Sequence, residues 1–86
     1  MRNKRFEEIT DKLIARGFGE ELFDIEMRLA ELDVEIELYT ELGKVEKLEA
    51  AKLELAELLE QIGPDAQEYY DALLEDIRLY NAACAA

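Results

Sequence analysis

The sequence has no histidine, no serine and no tryptophan, and only one proline and one cysteine. Each absence removes a class of chemistry. Without histidine or serine, the common nucleophile–base dyads and triads cannot be assembled. Cys84 is the only thiol, with no imidazole to activate it, and a small apolar residue on a helix seam is the reading it supports. Zinc loses its usual ligands for the same reason. A lone cysteine also makes no internal disulfide, so a cytoplasmic setting is expected. Glycine is scarce too, at four residues, and none builds a phosphate-cradling loop. No apolar run reaches the ~18 residues of a membrane-spanning helix. The basic start, Met1 to Phe6, leads into no apolar stretch, so a signal peptide is not expected.

Glutamate, leucine and alanine fill the space instead, and they favour helix. Half of the 86 residues are hydrophobic, which argues against disorder despite a net charge of −12. The length predicts a single helical domain over 1–86, with a stability margin that a partner subunit would improve. The charge is unevenly spread. Residues 1–16 carry five basic and three acidic side chains, or +2; residues 17–86 carry five basic and nineteen acidic, or −14. Nucleic acid and anionic membranes are therefore poor direct partners, and a basic protein surface is the natural counterpart.

Residues 22–42 organise the chain. At 100° per residue they show two apolar stripes. Leu22, Ile25, Leu29, Leu32, Ile36 and Tyr39 form one. Phe23, Met27, Ala30, Val34, Leu38 and Leu42 form the other, on roughly the opposite side. A surface helix has one apolar face. Two faces require cover on both sides, either from the first helix, from a second subunit, or from both. Phe23, Met27, Ala30, Val34 and Leu38 are accordingly the candidate interface of a homodimer. Leu32 to Leu38 also alternates as a strand would. Opposed helical stripes produce the same alternation, and no partner strand is evident, so helix is the expectation.

Four helices are expected, near 4–16, 20–42, 45–62 and 65–82, the last three long ones forming an antiparallel bundle beside a short first one. Phe6, Ile9, Leu13 and Ile14 mark the buried face of the first, Asn3 is its candidate cap, and Phe18 is expected to plug into the core. Gly17 suits the stop of that helix. Gly43 breaks the phase of the seam, which resumes through Leu48, Ala51, Leu55, Leu58 and Ile62. A tight turn explains this better than one long helix with a stutter, although Lys44 is a poor cap. Gly63-Pro64-Asp65 stops one helix and starts the next. Ala66, Tyr70, Leu73, Ile77, Tyr80 and Cys84 then form a seam flanked by Tyr69 and Leu74, and 82–86 is expected to fray. The tyrosines on this helix are read as half-buried, with an interface role as the alternative.

Carboxylates are the only abundant reactive groups. Glu31/Glu35 and Glu37/Glu41 stand four apart, as a carboxylate metal site would require, but di-iron bundles add a Glu-x-x-His motif that is missing here. Calcium loops need oxygen ligands on a glycine turn, and none occurs. A solvated acidic face is the simpler reading. Like charges at i, i+4 spacing, as in Asp33-Glu37-Glu41, destabilise a helix by a few tenths of a kcal/mol each. Either acid serves solubility or it has a role. The candidate partner-binding residues are Asp33, Glu37 and Glu41 on the second helix. Glu46, Glu49, Glu57 and Glu60 follow on the third, and Glu68, Asp71 and Glu75 on the fourth.

In size and charge the chain resembles phage-encoded inhibitors that imitate nucleic acid, some anti-CRISPR proteins among them. That resemblance implies a non-enzymatic inhibitor that occupies a basic, nucleic-acid-binding surface of a partner protein. The alternative is a self-assembling structural or scaffolding bundle, a homo-oligomer. Glutamate–leucine–alanine richness also suits a designed protein, although the weak cap at Lys44 and the NAACAA tail are not what careful design leaves. No pattern marks an enzyme, a cofactor, a metal or a small-molecule site.

Overall fold

A computed structural model describes residues 3–85. They form four helices and no strand: α1 (Lys4–Ala15), α2 (Glu21–Leu42), α3 (Val45–Ile62) and α4 (Ala66–Ala85). The fold is all-α, and its boundaries follow the local chemistry. Asn3 caps α1, its Oδ1 accepting from the Phe6 N–H at 2.7 Å. At the other end the Gly17 N–H reaches the Ile14 carbonyl and the Phe18 N–H the Leu13 carbonyl. That pair of bonds satisfies carbonyls the helix would otherwise orphan. Gly43 ends α2 in the same way, with Lys44 N–H bonded to the Tyr39 carbonyl at 3.0 Å. Its φ of +67° is left-handed, so α2 and α3 are separate helices joined by a turn. The segment 32–38 lies within α2 and is helical. Lys44 makes no side-chain capping bond at the start of α3. Gly63 has φ +93° and ψ −143°, a combination that a Cβ would strain, and it turns the chain towards α4.

α2 packs chiefly on α3, and α1 chiefly on α4. Both pairs are antiparallel: α2 and α3 fold back at the Gly43 turn and are tied by Arg28 and Glu54, and along α1 and α4 Arg5 meets Glu75 while Arg16 meets Asp65. α4 joins the pairs by touching α2 and α3 as well. The core comprises Phe6, Ile9 and Leu13 of α1, Leu22, Ile25 and Leu29 of α2, Ile62 of α3, and Ala66, Tyr69, Ala72 and Leu73 of α4. Phe18 packs half-buried against it, with Leu55 and Leu58. The molecule is a slab of 40 × 35 × 19 Å, and its short dimension holds about two layers of helix.

Several expectations need correction. Ile14 is exposed, because α1 turns a narrow face of Phe6, Ile9 and Leu13 towards α4. On α4 the buried line is Ala66, Tyr69, Ala72 and Leu73 rather than the seam through Tyr70, Tyr80 and Cys84. α1 causes the shift. It covers the Tyr69 side of α4, where the Phe6 and Tyr69 rings lie 5.4 Å apart between centroids. The start of α1 lies level with Asp76, whose carboxylate accepts from the Asn3 N–H at 2.7 Å. Beyond that level α4 runs past α1, which leaves Leu79, Tyr80 and Cys84 in solvent. Helix nevertheless continues through Ala85 instead of fraying from 82; Ala86 lies outside the described residues.

Candidate functional site

The two stripes of α2 have different fates. Leu22, Ile25, Leu29 and Leu32 are buried, and Ile36 and Tyr39 are half-buried. On the other side Phe23, Met27, Val34, Leu38 and Leu42 are 59, 52, 63, 46 and 56% exposed, with Ala30 half-buried among them. α1 does not cover this stripe, contrary to one of the expectations, because it packs chiefly on α4. The five large side chains present on the order of 500 Å² of contiguous apolar surface, at the upper end of what a monomer exposes in one patch.

Charge is sorted by the folding. The basic residues of α1 are placed against acids of α4 and its leading turn. Arg5 meets Glu75 at 3.2 Å, and Lys12 and Arg16 converge on Asp65 at 3.3 and 2.9 Å. Arg16 also donates to the Ile62 carbonyl at 3.3 Å, at the orphaned end of α3. The uneven charge of the chain is thus in part an internal clasp.

The other organising cation is Arg28, which the sequence reading passed over. It is the only basic residue of α2. It forms a two-point pair with Glu54 and lies 3.3 Å from Glu35 and 3.6 Å from Glu31. The signal was present: a single arginine in a helix of carboxylates, with Glu31 three residues on and Glu35 seven. The hydrogen bond from Arg28 holds the Glu54 carboxyl below the usual carboxylate range, against an opposing effect of burial. Beside this pair lies an open depression of about 260 Å³, lined by Tyr39, Lys47, Ala50 and Ala51 among others. It is smaller than the ~300–1,000 Å³ of ligand pockets.

The candidate partner-binding carboxylates divide into two sets. Glu37 and Glu41 of α2, Glu46, Glu49, Glu57 and Glu60 of α3, and Glu68 of α4 are exposed and make no ion pair among the described residues. The other three are engaged. Asp33 is half-buried, and Tyr70 feels its charge: burial first, then Asp33 and Asp71, pushes that phenol above its ordinary value. Asp71 accepts from the Gln67 amide at 2.9 Å, and Glu75 holds Arg5. The acidic line of α4 is therefore interrupted by α1, while that of α3 is open along its length. Glu54 of the same helix is drawn towards α2 by Arg28.

Among the described residues, no group of three or more acidic or cysteine side chains is placed to hold a metal ion, and no helix is long and apolar enough to cross a membrane. In comparison with known proteins, no family model matches the chain, and neither does any curated protein or any solved structure.

Proposed function

We propose that this is a non-enzymatic acidic binding protein that docks on a basic surface of a partner protein in the cytoplasm. The surface it would occupy is one that otherwise holds nucleic acid, as the targets of phage-encoded inhibitors such as some anti-CRISPR proteins do. One observation carries the reading. Arg5, Lys12, Arg16 and Arg28 are engaged with internal acids, while Glu46, Glu49, Glu57 and Glu60 stand along α3 with no ion pair among the described residues, although Lys47 and Lys52 share the helix. Carboxylates so arranged repel one another, and a basic partner would relieve the repulsion.

The test is a capture experiment with a charge-reversed control. The immobilised protein is incubated with lysate, bound proteins are eluted by a salt step, and their capture is challenged with competing nucleic acid. A nucleic-acid-binding protein should elute, nucleic acid should displace it, and Glu49→Lys with Glu57→Lys should abolish its capture. If the double reversal captures the same protein equally well, the α3 carboxylates serve solubility only. Self-assembly is the second reading, and the outward stripe of α2 favours it.

A further inference from the structure

We infer that the outward stripe of α2 is a two-fold interface between two copies of this chain. The inference does not rest on the acidic surface of α3. It starts from surface that one copy leaves uncovered. The chain exposes 5873 Å², whereas a folded monomer of 9.9 kDa exposes about 5,200 Å². Among the described residues none covers α2 on that side, where Phe23, Met27, Val34, Leu38 and Leu42 stay exposed.

The stripe is complementary to itself. Two α2 helices laid antiparallel about an axis near residue 32 place Phe23 opposite Leu42, Met27 opposite Leu38, and Ala30 opposite Val34. Large side chains thus meet at both ends. The two smallest, Ala30 and Val34, meet at the centre, where the helices need to approach. This is the pattern an isologous interface requires, because each contact occurs twice. With on the order of 500 Å² from each copy the pair buries about 1,000 Å² from the stripe alone, near the lower bound for a specific interface.

The borders of the stripe set how the pair responds to salt. Helical spacing puts Glu37 along one border, Asp24 and Glu31 along the other, and Glu41 on the stripe itself, five turns after Phe23. A two-fold axis of this kind brings each border against its own copy, so carboxylates face carboxylates. Of these carboxylates Arg28 offsets only Glu31, at 3.6 Å, because its two short bonds go to Glu54 across the α2–α3 seam. Association is therefore driven by apolar burial and opposed by repulsion. Salt weakens the repulsion, as the screening length falls from about 30 Å at 0.01 M to about 8 Å at 0.15 M. Docking on a basic partner has the opposite salt dependence, which keeps the two ideas separable.

The experiment measures the mass of the full chain in solution by sedimentation or light scattering. Low salt, about 0.01 M, is compared with high salt, about 0.5 M. The expected result is a shift with rising salt from 9.9 kDa towards twice that value. Glu37→Gln should bring the shift to lower salt, because it removes one acid from the border of each copy. Val34→Glu should remain monomeric at every salt concentration with its helical circular dichroism intact, since Val34 is 63% exposed in the single copy. A single copy at high salt and at protein concentrations up to about 1 mM, where even weak pairs associate, would overturn the inference. So would association that weakens with salt, or a Val34→Glu protein that still doubles its mass.

Discussion

Arg28 and Glu54 join α2 to α3 at two points, Nε to Oε2 at 2.5 Å and Nη2 to Oε1 at 2.8 Å. Glu31 and Glu35 lie on the same guanidinium, so one cation holds three carboxylates around the seam. Removing the cation and removing one acid are then unequal perturbations. Arg28→Met leaves Glu31, Glu35 and Glu54 repelling one another, whereas Glu54→Gln leaves Arg28 with two partners. Both side chains are more than a third exposed to water, which weakens the pair. Arg28→Met should cost about 1–2 kcal/mol and Glu54→Gln about half of that. For a domain of this size each kcal/mol lowers Tm by about 4–8 °C. The same pair carries a pH signature. Arg28 depresses the folded-state pKa of Glu54, so between the folded and unfolded values the unfolded chain binds more protons. The stabilisation is present above the unfolded value of about 4.3 and disappears as pH falls through the folded one. Urea unfolding of the parent and Glu54→Gln should therefore differ at pH 7 and converge towards pH 3. Equal stabilities at pH 7 would show that the pair contributes nothing.

How far the fold is legible in the sequence depends on the kind of signal. Helix ends are written locally: Asn3, Gly17, Gly43 and Gly63-Pro64 each act on neighbouring backbone, and each boundary falls within a few residues of where they place it. Burial is not local. Periodicity shows that α4 has an apolar side, but whether Tyr69 or Tyr70 is the deeper residue depends on where α1 docks, and no spacing within α4 encodes that. The second stripe of α2 has the same ambiguity at a larger scale. Its pattern demands a cover, and a pattern within one helix cannot say whether the same chain supplies it. The candidate carboxylates were legible as a set. Asp33 is half-buried and Glu75 is paired because their neighbours, Tyr70 and Arg5, come from distant parts of the chain.

The adjacent tyrosines make the point measurable. Tyr69 is fully buried against Phe6, while Tyr70 is half-buried. Truncating a buried aromatic ring costs about 3–5 kcal/mol. An 86-residue domain has roughly 4–13 kcal/mol in total. Tyr69→Ala should therefore lose much of its folded population at 37 °C, and Tyr70→Ala should remain folded with a loss of about 1–2 kcal/mol. Thermal melts of the two variants decide the matter. The reverse ranking would restore the seam that spacing alone assigns to α4 and displace α1 from the Tyr69 side.

Asp65 holds the far end of the same contact. Its carboxylate receives Lys12 at 3.3 Å and Arg16 at 2.9 Å, and its side chain is only 18% exposed. Arg16 in turn reaches the Ile62 carbonyl, so the first helix is tied to the corner where α3 gives way to α4. The carboxylate also sits just before α4, where negative charge favours the helix start. Asp65→Asn keeps the size of the side chain and removes all three electrostatic contributions. The expected loss is about 1–2 kcal/mol, less at high salt but not abolished, because the carboxylate is mostly screened from water by protein. The loss should also be uneven along the chain. α1 has only about three turns and buries only Phe6, Ile9 and Leu13, so with this clasp loosened it should open first. Hydrogen exchange in Asp65→Asn should accelerate most at the amides of α1, while the α2–α3 pair, joined by Arg28 and Glu54, changes little. Uniform acceleration across all four helices would mean that α1 opens only when the whole molecule does, and that Asp65 stabilises the bundle globally rather than clasping one helix to it.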